Sequence, residues 1–214
     1  MRIDIHGIIL VLKIQITIKF ERLGASMQSS IRIIDAIDFA TMVHSGQTLR
    51  ISEIPEIIHS FATAMLLSRY GYSEDLIIAG LLHGITSSNS EYSINDIEKK
   101  FGAEIAQYIL DVSESDESLD WKTRKSNHIE HIRNVTYYSR ILCCADMVHN
   151  LYSLEKNIAI QGGDVWKKFN ASKSDVLWYY SSMCDSILDG YENMNIPIFD
   201  QLKLIIDSVI LLSK

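Results

Sequence analysis

From Leu12 to Phe20 the chain alternates strictly, with Leu12, Ile14, Ile16, Ile18 and Phe20 on one side and Lys13, Gln15, Thr17 and Lys19 on the other. A period of two built on β-branched residues predicts a strand. Beyond it the period changes. Ile31, Ile34, Ala36, Ile37, Phe39, Ala40 and Val43 recur at helical spacing, and Ser45-Gly46 ends that helix. A polar loop runs to Pro55, and Glu56 to Tyr70 forms a second helix closed by Gly71. Ser73 is a good N-cap for a helix through Leu82 that is apolar nearly all round, and therefore expected at the centre. Ser93 starts a short amphipathic helix ending at Phe101-Gly102, Ala103 to Val112 is the next, and an acidic, Ser-rich loop spans Ser113 to Asp120. Trp121 to Arg133, Thr136 to Leu154, Ser172 to Leu188 and Pro197 to Leu212 complete the helices, with a break at Gly162-Gly163. Pro55 and Pro197 both stand at helix entrances, where a missing N–H costs nothing.

The pattern predicts an all-α bundle preceded by one short β-strand that has no partner in it. An unpaired strand edge invites pairing with another chain. Residues 1–26 therefore read either as an edge strand used in a homo-oligomer or as an over-long start ahead of Met27. The expected division is an extension over 1–26, a helical domain over 27–190, and a C-terminal helix over 191–214 packed on the same domain. The 214 residues, 47% hydrophobic and 22% charged, suffice for such a core and argue against disorder. With 20 Lys+Arg against 27 Asp+Glu the net charge is −7, and there is no basic block. That disfavours nucleic-acid and anionic-membrane surfaces but leaves room for a local basic pocket that takes a phosphorylated small molecule. Lys13 and Lys19 interrupt the apolar stretch Ile3 to Phe20, so it reads neither as a spanning helix nor as a signal peptide. Cys143, Cys144 and Cys184 lack any framework spacing, which points to reduced thiols in the cytoplasm that act as small buried hydrophobes.

The candidate chemistry lies in histidines and one acid. His44, His59 and His83 sit in apolar or helix-end contexts, and Asp146 lies inside the apolar run Cys143-Cys144-Ala145-Asp146-Met147-Val148. A carboxylate there needs a partner, and Asn150 follows one turn later on the same face. Helix-borne imidazoles with one carboxylate form a mixed donor set suited to Mn, Fe or Zn. His128 and His131 stand three apart on a helix full of charge and read as solvated.

In this order the motifs become a pattern. His44-Ser45-Gly46-Gln47, Arg50, Ile54-Pro55 and Ile57-Ile58-His59 resemble the opening of the HD-superfamily hydrolases of RelA/SpoT type. Ala79-Gly80-Leu81-Leu82-His83, Phe101-Gly102 and Ala145-Asp146-Met147-Val148-His149-Asn150 resemble later motifs of the same enzymes. Trp121-Lys122-Thr123-Arg124-Lys125, Gly163 to Asn170 and Leu177-Trp178-Tyr179-Tyr180 are similar to a small stand-alone bacterial subgroup. The resemblance implies an HD-domain helical bundle. It also implies an activity that removes pyrophosphate from guanosine tetraphosphate-like alarmones, with Mn²⁺ or another divalent ion as cofactor if any is bound. Its metal ligands carry over to His59, His83, position 84 and Asp146. Arg50 matches a residue lining the nucleotide pocket, and Gln47, Asn150, Arg124 and Lys125 are further candidates to hold ribose or phosphate.

The chain departs from that pattern where the chemistry is done. Position 84 is Gly84 instead of the Asp of the His-Asp pair, and the acidic pair that helps activate water is replaced by Ser87 and Ser88. Serine is a poor general base near neutral pH, and Glu91 reads as an exposed loop residue. The first reading is a degenerate HD-domain protein that acts by nucleotide binding or through a partner. The alternative is an active, metal-dependent nucleotide 3′-pyrophosphohydrolase with a remodelled site.

Overall fold

Short polar side chains set most of the helix starts. The computed structural model describes residues 27–85, 91–114 and 118–214. The expected strand over Leu12 to Phe20, the extension 1–26, and Ser87 and Ser88 lie outside them. Among the described residues the architecture is all-α: α1 (Met27–Val43), α2 (Ile57–Arg69), α3 (Glu74–Leu82), α4 (Ile94–Phe101), α5 (Ala103–Val112), α6 (Trp121–Asn134), α7 (Tyr137–Gln161), a 3₁₀ turn (Gly162–Lys168), α8 (Lys173–Leu188) and α9 (Pro197–Leu212). Ser73 Oγ accepts from the Leu76 N–H, Asp120 from those of Lys122 and Thr123, Thr136 from Ser139 and Ser172 from Asp175. Each satisfies amides that a helix start leaves open.

Two helices form the centre. All seven residues from Leu76 to Leu82 of α3 are buried, as its all-round apolar character requires. In α7 the run Ile141 to Ala145 is buried without a break, and that helix packs against α2, α3, α5, α8 and α9. Each buried Leu or Ile contributes about 1.5–3 kcal/mol. Gly80 lets α2 and α3 close up, because a Cβ there would stand 2.8 Å from Leu67 Cδ1 and 3.4 Å from the Ala64 backbone. α9 is held on the bundle by Tyr70 Oη, which donates to Gln201 Oε1 at 2.6 Å, and by its packing on α7 and α8. The three cysteines are buried and free.

The long helix departs from its expected end. α7 continues past Leu154 to Gln161 because nothing in Glu155 to Ala159 breaks a helix, and Asn157 and Ile158 still face the core. Gly162, at φ 58°, is the first residue able to leave without strain. No helix among the described residues is long and apolar enough to cross a membrane.

Candidate metal centre

His59 lies in the first turn of α2, His83 caps the end of α3, and Asp146 sits midway along α7. The mutual packing of these three helices brings the side chains together. His59 Nε2 is 2.9 Å from Asp146 Oδ1 and 2.9 Å from His83 Nε2, and His83 Nε2 is 3.5 Å from Asp146 Oδ1. One donor atom from each lies within 4.8 Å of the others. Two donors about 2.1 Å from a common ion and at right angles to each other stand about 3.0 Å apart, so the trio has the spacing of donors to one cation.

Neighbouring hydrogen bonds fix how the rings present themselves. His83 Nδ1 is 2.9 Å from the Gly80 carbonyl. A carbonyl only accepts, so Nδ1 carries the proton and Nε2 offers its lone pair to the centre. His59 Nδ1 faces His149 Nδ1 at 2.7 Å; donation from His59 to His149 leaves His59 Nε2 likewise free to ligate. Asn150 Nδ2 donates to Asp146 Oδ1 at 2.8 Å. Such outer hydrogen bonds orient metal ligands and tune their basicity.

The electrostatics favour a cation. Burial pushes the Asp146 carboxyl up, but the two imidazoles beside it, His59 and His83, outweigh burial and hold it well below the usual carboxylate range. Burial pulls His83 down, yet Asp146 prevails and His83 is raised, so the cluster attracts positive charge. His149 is lowered to about 4, by burial first and then by His59, and stays neutral as an acceptor.

Gly84 follows His83 and brings no donor. Among the described residues, chain neighbours aside, a Cβ there would meet only His44, at 3.6 Å from Cε1 and 3.7 Å from Nε2, ordinary contact distances. His83, Gly84 and Asp146 form the floor of a cavity of about 630 Å³, the size of a small-ligand pocket. Arg50, Arg124, Lys125 and Asn150, all expected at the site, line it. Gln47 is not in that lining; its Oε1 lies 2.7 Å from His44 Nδ1. Glu91 is exposed, as expected.

The wall carries its own counter-charge. Glu114 Oε2 lies 3.0 Å from Arg124 Nε, and its Oε1 pairs with Lys125 Nζ. Lys125 also stands 4.3 Å from the centre of the Tyr179 ring. Arg50 makes no ion pair among the described residues.

His128 corrects the solvated reading. It is 5% exposed, with Nε2 3.1 Å from the Val112 carbonyl and Nδ1 3.0 Å from Tyr179 Oη. Lys122, Glu130 and Arg133 of α6 are exposed, and His131 is exposed as expected. Sequence reasoning also assigned no role to His149 or Glu114. His149 lies three positions after Asp146, on one face of α7, and that spacing was the available signal. Glu114 had none, since its partners come from another helix.

A family model described as HD domain matches residues 36–177, more than half of the chain. The chain is 38% identical over 81 residues to a probable chloroplastic GTP diphosphokinase of Arabidopsis thaliana, covering 38% of this chain and 11% of that protein. It is 28% identical over 134 residues to a probable guanosine-3′,5′-bis(diphosphate) 3′-pyrophosphohydrolase of Mycoplasma pneumoniae, covering 58% of this chain and 18% of that one. It thus spans less than a fifth of the length of either. Among solved structures, a Listeria monocytogenes EGD-e protein superposes with TM-score 0.64 and 27% identity over 73% of this chain and 99% of its own. A metazoan ortholog of SpoT that hydrolyzes ppGpp superposes with TM-score 0.67 at 21% identity, over 82% of this chain and 94% of its own, which shows a shared fold. With its all-α core, its two-histidine, one-aspartate centre and these matches, the chain belongs to the HD domain family, and the curated relatives it matches are of RelA/SpoT type.

Proposed function

We propose that this chain holds one divalent cation, Mn²⁺, on His59, His83 and Asp146, and binds a pyrophosphate-bearing nucleotide of the kind its metazoan relative hydrolyzes, with its own hydrolysis largely lost. One observation carries the reading. Two of the three clustered donors, His83 and Asp146, lie at the floor of a cavity whose wall presents Arg50, Arg124 and Lys125, while the position beside His83 is a glycine. Arg124 and Lys125 meet the phosphates by exchanging Glu114 for them, and charge-assisted bonds to phosphate are the stronger kind. Arg50 takes phosphate without giving up an ion pair. Asn150 keeps Asp146 oriented. A bound divalent ion would polarise phosphoryl oxygens and lower the pKa of water, but Gly84, Ser87 and Ser88 carry no carboxylate to take the proton. The buried, free thiols suit a cytoplasmic protein.

A second reading, a working pyrophosphohydrolase with a remodelled site, draws on the neutral imidazole of His44 next to Gly84. One experiment separates the two. The protein is loaded with Mn²⁺, its metal content is measured, and guanosine and adenosine 3′-pyrophosphate nucleotides are added. The expected result is one ion per chain, a rise in melting temperature with nucleotide, and only trace pyrophosphate release. A ligand at a hundredfold over its Kd stabilises by about 2.7 kcal/mol, a shift that is easily seen. Sustained Mn²⁺-dependent release would install the second reading, and no response to metal or nucleotide would defeat both.

A further inference from the structure

We infer that His44 stands in for the donor that position 84 lacks: its Nε2 lone pair accepts a hydrogen bond from a water beside Gly84 whose oxygen completes the coordination of the cation. The inference rests on the metal reading of His59, His83 and Asp146 and extends it to a fourth residue.

His44 is 5% exposed, and its Nε2 has no hydrogen-bond partner among the described residues. Buried ring nitrogens are normally satisfied, so this one asks for a ligand. Its protonation pattern follows from its neighbours. Gln47 Nε2 donates to the Val43 carbonyl at 3.4 Å, which turns Gln47 Oε1 toward His44 Nδ1 at 2.7 Å. Because Oε1 only accepts, the proton sits on Nδ1 and Nε2 is a lone pair. That lone pair lies 3.7 Å from where a Cβ on Gly84 would stand, and among the described residues, chain neighbours aside, only the adjoining Cε1 of the same ring also comes within 4 Å of that point. The missing side chain and the unsatisfied nitrogen thus face each other.

Direct ligation does not fit, because His44 lies outside the trio whose donors are mutually within 4.8 Å. One water spans the difference. Gly84 also lines the cavity, so solvent reaches this point. A buried water needs a polar site with two or more partners, and the His44 lone pair and the cation supply them. His44 is thereby a positioning residue, held by Gln47 from the loop that follows α1.

Manganese titration of the metal-free protein by calorimetry tests this, with the visible spectrum of bound Co²⁺ as a second readout. Loss of an outer-sphere partner typically costs 10–100-fold in metal affinity. His44→Ala should therefore weaken Mn²⁺ at least tenfold and alter the Co²⁺ spectrum. His44→Phe, which keeps a ring in the core without the nitrogens, should do the same, and it serves if the alanine variant does not fold. Gly84→Asp added to either variant should restore affinity, since a carboxylate there reaches the cation without His44. The backbone at Gly84 is not left-handed and a Cβ fits, so this substitution is unstrained. Unchanged Mn²⁺ affinity and Co²⁺ spectrum in both His44 variants, with His59→Ala losing the ion, would overturn the role of His44 alone. Unchanged binding in His59→Ala as well would overturn the metal reading beneath it.

Discussion

His59, His83 and Asp146, the last two on the floor of the cavity, hang from three helices whose buried faces pack on one another; on the cavity wall, Arg124 and Lys125 stand in the first turns of α6, tied to Glu114 at the edge of an acidic loop. The two histidine side chains of the trio are each 9% exposed and that of Asp146 19%, against 24% for Arg124, 15% for Lys125 and 28% for Glu114. Moving a floor donor means moving a core helix. Moving a wall cation means breaking an ion pair within reach of water, and such pairs are worth about 0–1 kcal/mol. The floor is therefore preorganised for one small, hard partner, and the wall can exchange its own carboxylate for a larger anion. On the proposed metal reading, the difference also accounts for a centre that keeps its geometry without a donor at Gly84, since His83 and Asp146 are placed by the packing of Leu76 to Leu82 and Ile141 to Ala145.

The largest effect follows from removing a floor donor. Asp146→Ala takes away the anion that holds the two imidazoles, and Mn²⁺ retained after gel filtration, read by atomic emission, should fall to background. Arg124→Ala should leave the metal content unchanged. Metal loss in Arg124→Ala would erase the distinction between floor and wall.

The two regions were also unequally legible in the sequence. His59, His83 and Asp146 could be found because each lies in a helix whose ends are marked by Ser73, Gly71 or Thr136, and because their motifs come in a recognisable order. The all-round apolar face of α3 likewise announced a central helix. Glu114 could not be found, since its pairing with Arg124 and Lys125 joins the residues after α5 to α6 and exists only in the folded chain. His128 was misread because Lys122, Arg124, Lys125, Glu130 and Arg133 surround it in sequence. Its place with Ile129 and Ile132 on the buried stripe of α6 depends on the packing of that helix against α8. The opposition of His44 and Gly84 joins a loop after α1 to the end of α3, a contact across the fold that no local pattern encodes.

A smaller effect sharpens the comparison by acting on the wall alone, in two directions. Lys125→Ala with Arg124→Ala should weaken a guanosine 3′-pyrophosphate nucleotide by at least about a hundredfold, because hydrogen bonds to charged groups contribute about 1.5–3 kcal/mol each and every 1.4 kcal/mol is tenfold. Glu114→Gln should tighten the same nucleotide a few-fold, because the amide no longer competes for the two cations. Both are read by calorimetry on the Mn²⁺-loaded protein. Weaker binding in Glu114→Gln would mean that the acid orients the cations and is not exchanged for phosphate.

The smallest effect concerns how the wall is anchored, and it appears in pH dependence. Burial, the largest influence on His128, lowers it, with Glu114 opposing and Lys125 reinforcing. Its ring is neutral in the fold, with both nitrogens hydrogen-bonded. Above the ordinary histidine value of about 6.5 neither the folded nor the unfolded chain is protonated at this residue, and it contributes no slope. As pH falls below that value the unfolded chain takes up a proton that the folded one resists, so stability must drop. The steepest contribution of one such group is about 1.4 kcal/mol per pH unit, continuing down to its folded value. His83, which is raised, acts with the opposite sign, so the isolating measurement is a difference between proteins. Urea midpoints of the metal-free protein between pH 7 and pH 5 should fall more steeply than those of His128→Gln, which cannot take the proton. His131→Gln, three positions away on the exposed face, serves as the control. Equal slopes for His128→Gln and the unsubstituted chain would mean that the ring accepts its proton in place, and that α6 yields there as readily as the ion pairs it carries.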